Sequence, residues 1–445
     1  MARTPEKMAP SMGMEAFSKA SDLQQRLLFT VLALIVYRLG TYIPVPGIDP
    51  TALADIFSRN SAGILGMFDM FSGGSLGRMT IFALTIMPYI TASIIMQLMT
   101  AIIPTLEALK KDGEAGRKQI NQYTRYLTVI LAAVQGYGIS VGLEAANGVV
   151  IDPGMFFRLT TVITLLGGTM FLMWLGEQIT ARGVGNGISL IIFSGIVANL
   201  PVALAGTFEL GSTGALSPVL IMFLMVMAIG VIALIVFIER SLRRILIQYP
   251  KRQMGNKMFG GEASHLPLKI NVPGVIPPIF ASSLLLMPVS IINLTSSADG
   301  GASWLVTLNA LLGRGQPLYL AVYIGLIVFF AFFYTAIVFN PEETSENLRR
   351  YGGYVPGIRP GQPTADYLDY VLTRLTVLGA IYLSAVCILP EILISQYSVP
   401  FYFGGTSLLI VVTVTLDTVT QIQSHMMAHQ YEGLVKKSNL RGKKR

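Results

Sequence analysis

Two histidines, His425 and His429, stand four residues apart. On a helix that spacing brings both imidazoles to one face, where they could hold a metal ion. No HExxH motif accompanies them, and His265 falls in a separate loop, so no metal site is expected. The run Gly183-Val184-Gly185-Asn186-Gly187 has enough glycine to cradle a phosphate, but it follows an apolar segment rather than a strand, and no GxxxxGK[ST] motif occurs. No GxSxG nucleophile elbow is present. Asp417 is the clearest carboxylate inside an apolar segment, and an acid at membrane depth invites a proton-relay reading. One acid makes a poor relay, so a buried, hydrogen-bonded carboxylate is expected instead. Cys387 is the only cysteine, which excludes an intrachain disulfide and a thiolate cluster. It reads as a small apolar filler. The residues therefore predict no enzyme and no cofactor.

The elements that would carry these residues are membrane spans. The 445 residues are 53% hydrophobic and 13% charged, against about 25% charged for an average soluble chain. Apolar runs long enough to cross a bilayer recur. They predict ten spans: Leu27–Ile43, Met79–Ile103, Tyr126–Leu143, Met155–Leu175, Ile188–Ala205, Val219–Ile238, Val272–Ile292, Leu318–Phe339, Val371–Leu389 and Phe403–Ile422. The first residues mix Arg3, Lys7 and Lys19 with Glu6, Glu15 and Asp22, so a retained first span is expected rather than a cleaved signal. With the N-terminus inside, 27 of the 32 Lys and Arg residues fall in inward-facing segments. Arg38, Arg59, Arg78, Arg158 and Arg314 are the remainder. The positive-inside rule thus puts both termini in the cytoplasm. Five spans lie on each side of the Glu209–Ser217 loop, so the second half enters the membrane from the opposite side, the arithmetic of an inverted repeat.

Two functions fit such a chain. A ten-span secondary transporter of a small solute should offer polar ligands near the midplane. A conduit for polypeptide should offer a soft apolar constriction and large basic cytoplasmic loops. The central helices here are rich in branched aliphatic residues and the loops are basic, which favours the conduit. The stretch "AGILGMFDMFSGGS" (Ala62–Ser75) adds a puzzle. A helix over Ile64–Phe71 would cover about 12 Å, far short of a hydrocarbon core about 30 Å thick.

Five long motifs carry a resemblance. They are "IFALTIMPYITASIIMQLM" (Ile81–Met99), "MFLMWLGEQITARGVGNGIS" (Met170–Ser189), "FYTAIVFNPEETSENLRR" (Phe333–Arg350), "YVPGIRPG" (Tyr354–Gly361) and "VPFYFGGTSLLIVV" (Val399–Val412). Through them the chain resembles the SecY/Sec61-alpha family, the channel subunits of protein translocons, from the first span into the C-terminal tail. One residue departs: Thr85 stands where the family usually has glycine, and only fine helix packing is expected to change.

The resemblance implies an all-α membrane protein of ten transmembrane helices, in two inverted five-helix halves forming a clamshell around a central pore. The division would be residues 1–26 as a cytoplasmic N-terminus, 27–208 as the first half with a plug at 62–72, 209–427 as the second half with docking loops 240–270 and 340–370, and 428–445 as a basic tail. The pore ring would be Ile86, Ile90, Ile188, Ile192, Ile279 and Ile410. Two of its pairs are spaced i, i+4 and so share a helix face, and a narrow aliphatic waist resists ions by dewetting. The plug would use Ile64, Leu65, Met67, Phe68 and Phe71, an apolar half-helix in a cavity closed to lipid. Pro88, and Pro277-Pro278, would kink two helices of a lateral gate lined by Thr91, Gln97 and Met287, with Gln97 paired across it. Arg243, Arg244, Lys251, Arg252 and Arg359 would dock the motor ATPase SecA and translating ribosomes, with anionic lipids as further ligands of the basic loops. SecE and SecG would be small membrane partners, and polypeptides bearing signal sequences the substrates. The implied location is the bacterial cytoplasmic membrane.

Overall fold

A computed structural model describes residues 21–60, 69, 72–145, 148–214, 217–249, 252–254, 257–259, 263–285, 316–397 and 405–442. Helices dominate. In the first half they are α1 (Ser21–Gly40), α2 (Pro50–Asn60), α3 (Met87–Ile102), α4 (Pro104–Lys111), α5 (Glu114–Ala145), α6 (Met155–Arg182) and α7 (Gly187–Ser212). The second half holds α8 (Pro218–Arg240), α9 (Ile276–Leu285), α10 (Pro317–Val338), α11 (Pro341–Arg350), α12 (Gln362–Tyr397) and α13 (Gly405–Gly442). Among the described residues, eight helices are long and apolar enough to cross a membrane, or nine if α3 and α4 count as one span bent by 99°. The chain is thus a multi-pass, all-α membrane protein. α9 is the shorter apolar helix of the seventh expected span, whose continuation to Ile292 lies outside the described residues.

The second expected span is only partly helical. Residues 72–86 form turns, and Met79 and Thr85 have positive φ of 43° and 52°. The turns are tied back to the end of α1, where Val45 N donates to Met79 O at 2.9 Å and Ile81 N to Ile43 O at 3.0 Å. Helix begins only at Met87, with Pro88 in its first turn. The expected kink at Pro88 is therefore absent. Proline lacks an N–H and tolerates the first turn, where none is needed. Pro277 and Pro278 hold the same place in α9, just after a turn in which Gly274 has a φ of +63°.

α1 packs on α6, α7 and α13, and α13 also packs on α7, α8 and α12, so the two halves meet along α13. The central core draws Tyr37, Phe82, Ile90, Leu172, Ile191, Phe280, Phe330 and Ile410 from eight segments. Outward-facing α8 leaves Phe223 and Phe237 exposed, as a lipid-contacting helix must.

Two extramembrane features had no forecast. One is α2, opened by Asp49, whose Oδ1 accepts from Thr51 Oγ1 at 2.6 Å and Thr51 N at 2.9 Å. Those bonds, the hydroxyl's first, hold the Asp49 carboxyl below its usual range. The other replaces the expected loop 240–270. Strands β1 (Leu242–Gln248) and β4 (Ala263–Lys269) pair antiparallel, with Leu242 opposite Lys269, and carry a smaller ribbon of β2 (Arg252–Met254) and β3 (Lys257–Phe259).

Candidate translocation path

Ile86 and Ile90 come first. Ile86 sits at the N-terminus of α3, where its carbonyl accepts from Ile90 N at 3.1 Å, so both side chains lie on one face, 1% and 6% exposed. The glycine-rich run before α7 positions Ile188 and Ile192. Asn186 caps the helix, its Oδ1 accepting from Ile188 N at 3.1 Å and Ser189 N at 3.4 Å. A Cβ on Gly187 would stand 2.0 Å from Gly176 O, so glycine is what lets α7 start against α6. Gly185 N donates to Gln421 Oε1 at 2.9 Å, which fastens this corner to α13. The run is a helix-start turn between α6 and α7. Ile279 enters from α9 and Ile410 from α13.

All six isoleucines join one apolar cluster. Five of them, Ile86, Ile90, Ile192, Ile279 and Ile410, line a cavity of about 10 Å³ together with Tyr37, Thr85, Met87, Ile191 and Ser282. That is room for about one water, so the isoleucines pack closely at this level. Ile188 does not line the cavity. It turns toward α6, where a Cβ on Gly176 would come within 3.2 Å of its Cγ1. Ile191, 1% exposed, takes the place instead, and sequence reasoning missed it. Its only advance signal was its position beside Ile192.

The other expected residues are scattered. Ile64, Leu65, Met67, Phe68 and Phe71 lie outside the described residues. The turn that follows them is firmly held. Gly77 N donates to Asp69 Oδ1 at 2.6 Å, Gly74 N to Asp69 O at 2.9 Å, and Arg38 Nη1 from α1 to Gly73 O at 2.9 Å. Gly73 has a φ of +66°, and a Cβ there would meet Gly195 Cα of α7 at 3.0 Å.

Thr91 is buried on α3 and its hydroxyl donates to Met87 O at 3.1 Å, within its own helix. Met287 lies outside the described residues. Among the described residues no cross-gate partner for Gln97 is found. Its Nε2 reaches Ser93 Oγ at 3.5 Å one turn back, while its buried Oε1 has no hydrogen-bond partner among the described residues. The physical reason is reach: the i, i−4 hydroxyl is the polar group its amide meets.

Arg243 and Arg244 are exposed on β1, Arg252 belongs to β2, and Lys251 lies outside the described residues. Arg359 is exposed in a rigid turn, where Thr364 Oγ1 donates to Arg359 O at 2.8 Å, Ser345 Oγ to Gly361 O at 2.6 Å, and Gly357 and Gly361 take φ of +83° and +102°. The two loops touch: Gln248 N donates to Tyr354 O at 2.9 Å and Tyr354 N to Gln248 O at 3.0 Å.

Asp417 is not the buried acid. α13 carries it beyond the packed core, where its side chain is 60% exposed and 3.9 Å from Lys269 Nζ. Among the described residues the buried carboxylate is Glu239, 9% exposed. Cys387 is 2% exposed in an apolar cluster. Among the described residues no three His, Cys, Asp or Glu side chains gather to hold a metal.

The SecY family model matches residues 80–419. The chain belongs to the SecY family. A Rickettsia conorii relative, protein translocase subunit SecY, is 57% identical over 431 residues, covering 96% of this chain and 99% of that protein. Two solved structures share the fold. One is a SecY protein whose plug domain stabilises the closed state of its translocation channel and maintains a membrane seal, with a TM-score of 0.60 at 19% identity over 91% of this chain and 92% of the other. The other is Sec61 in a canine ribosome–channel complex from the endoplasmic reticulum, with a TM-score of 0.63 at 18% identity and the same coverage. At such identities the likeness speaks for the SecY fold alone.

Proposed function

We propose that this SecY-family chain is a protein-conducting channel whose closed constriction is the isoleucine cluster. The convergence of Ile86, Ile90, Ile192, Ile279 and Ile410 on space for about one water carries the reading. α3 and α7 come from the first half and α9 and α13 from the second, so the constriction lies on the seam of two inverted halves. Aliphatic side chains there form no fixed hydrogen bonds and can yield to any passing sequence. They resist ions by dewetting when nothing passes. A solute transporter would need a set of polar ligands, whereas the cavity offers hydroxyls only at Tyr37, Thr85 and Ser282.

The apolar half-helix expected at 62–72 is a plug on the outer side of the ring, and the turn at 72–75, tied to Asp69, is its fixed end. Unfolded secretory polypeptides pass through the ring. Hydrophobic segments leave into lipid between α3 and α9, past Thr91, Gln97 and Met287. The hairpin arginines, Lys251 and Arg359 dock SecA or a translating ribosome, and anionic lipid headgroups contact the same basic loops. SecE and SecG complete the complex in the bacterial cytoplasmic membrane, with both termini in the cytoplasm. Motive force comes from SecA, the ribosome or the membrane potential.

Planar-bilayer conductance tests the division of the seal. Deleting residues 64–71 should spare export and raise the resting ion leak. A deletion channel as tight as the parent would mean that the ring alone seals and the half-helix serves another purpose.

A further inference from the structure

A buried polar link sits at the root of the hairpin. Glu239, 9% exposed, is on the last turn of α8, just before β1, and Asn271, 1% exposed, follows β4. Asn271 Nδ2 donates to Glu239 Oε1 at 2.6 Å and to Gly274 O at 3.1 Å. The first bond closes the two feet of the hairpin. The second reaches the turn that opens α9, whose Ile279 lines the closed constriction. The opposite face of the same amide is set against α12: a Cβ on Gly379 would lie 3.6 Å from Asn271 Oδ1. That oxygen is buried without a hydrogen-bond partner among the described residues.

Such a link is costly, because a buried carboxylate needs pairing and a buried amide oxygen needs a donor. The hairpin does not require it for cohesion. The β1–β4 ladder and an apolar cluster of Ile245, Leu268, Val355, Leu368 and Leu372 already anchor it. What the link adds is a short, stiff path from the hairpin to a pore-lining helix.

We propose that Asn271 is a positioning residue that transmits the docking of a cytoplasmic partner on the hairpin to α9, and thereby to the constriction. The proposal rests on the reading of the hairpin as a docking surface. On loading, the hairpin feet move together because the Glu239 bond holds them, and the bond to Gly274 carries that displacement into the first turn of α9. Glu239 acts by fixing the amide, and Asn271 by gripping both elements at once.

The test uses the full chain with its small membrane subunits in proteoliposomes, and SecA as the docked partner. Asn271→Ala should bind SecA within about twofold of the parent, since the hairpin surface is untouched. At saturating SecA it should translocate roughly tenfold more slowly, the size expected from losing a hydrogen bond to a buried carboxylate. Glu239→Gln keeps an acceptor for the amide and should retain most of the parental rate. The pair Glu239→Gln with Asn271→Asp reverses donor and acceptor and so keeps the bond between the feet, but the ionised Asp has no donor for Gly274 O. It should be as slow as Asn271→Ala, and it decides the matter if Asn271→Ala fails to assemble. A parental rate in that double variant overturns the proposal. So does a loss of SecA affinity in Asn271→Ala that accounts for its whole defect. Unchanged SecA affinity after Arg243→Glu and Arg244→Glu would overturn the docking reading itself, and the transmission role with it.

Discussion

Replacing Thr85 with glycine should make the protein more stable. Thr85 has a φ of +52°, in the left-handed region, one residue before Ile86. An L-residue there pays about 1–2 kcal/mol, and a β-branched one is a genuine outlier. Its compensation is weak: Met87 N donates to Thr85 Oγ1 at 3.4 Å, beyond the usual N–H···O range. Glycine returns about 0.5–1 kcal/mol through its extra freedom in the unfolded chain. The net gain is then about 0.5–1 kcal/mol, or a rise of roughly 1–3 °C in the thermal midpoint. Thermal unfolding of the detergent-purified complex, followed by size-exclusion chromatography, reads this directly. Thr85→Val separates backbone from hydroxyl, because it keeps the branched carbon and removes the oxygen, so it should not stabilise. A Thr85→Gly protein no more stable than the parent, or a Thr85→Val protein matching it, would refute the argument from backbone strain.

Two further outcomes follow from the same geometry. Arg359→Glu should cripple SecA-driven export while the purified protein keeps its thermal midpoint, since exposed substitutions stay within about 0.5 kcal/mol; export assays on inverted vesicles check it, and normal export would remove Arg359 from the docking surface. Gln97→Leu should raise stability by about 1–2 kcal/mol, because it removes a buried amide oxygen that has no hydrogen-bond partner; an unchanged or lower midpoint would mean that this oxygen is satisfied in the membrane.

The presence of most spans and the shared side of Ile86 and Ile90 were legible in the sequence, because both depend on apolar runs and spacing alone. Features set by tertiary contacts were not. Pro88 reads as a kink in a continuous apolar run, and only the return of residues 72–86 to the end of α1 makes it a helix start. Thr85 reads as a packing variant because nothing local announces a positive φ at a β-branched residue. Asp417 lies inside one expected span and Glu239 just past the end of another, and which one is buried depends on where α8 and α13 leave the packed core. Ile191 and Ile188 have the same chemistry, and only the close approach of α6 at Gly176 turns Ile188 away from the cavity.

Whether polypeptide passes through the isoleucine cluster can be measured with single cysteines in a Cys387→Ala background. Cysteine replaces Ile90, Ile192 or Ile410 in turn, or the lipid-facing Phe237, which is 72% exposed on α8. A secretory polypeptide with one cysteine in its arrested segment is stalled in the channel and oxidised. The account predicts disulfides from the stalled chain to all three isoleucine positions and none to position 237. Adducts at position 237, or none at the three isoleucine positions while the chain is stalled, would contradict it.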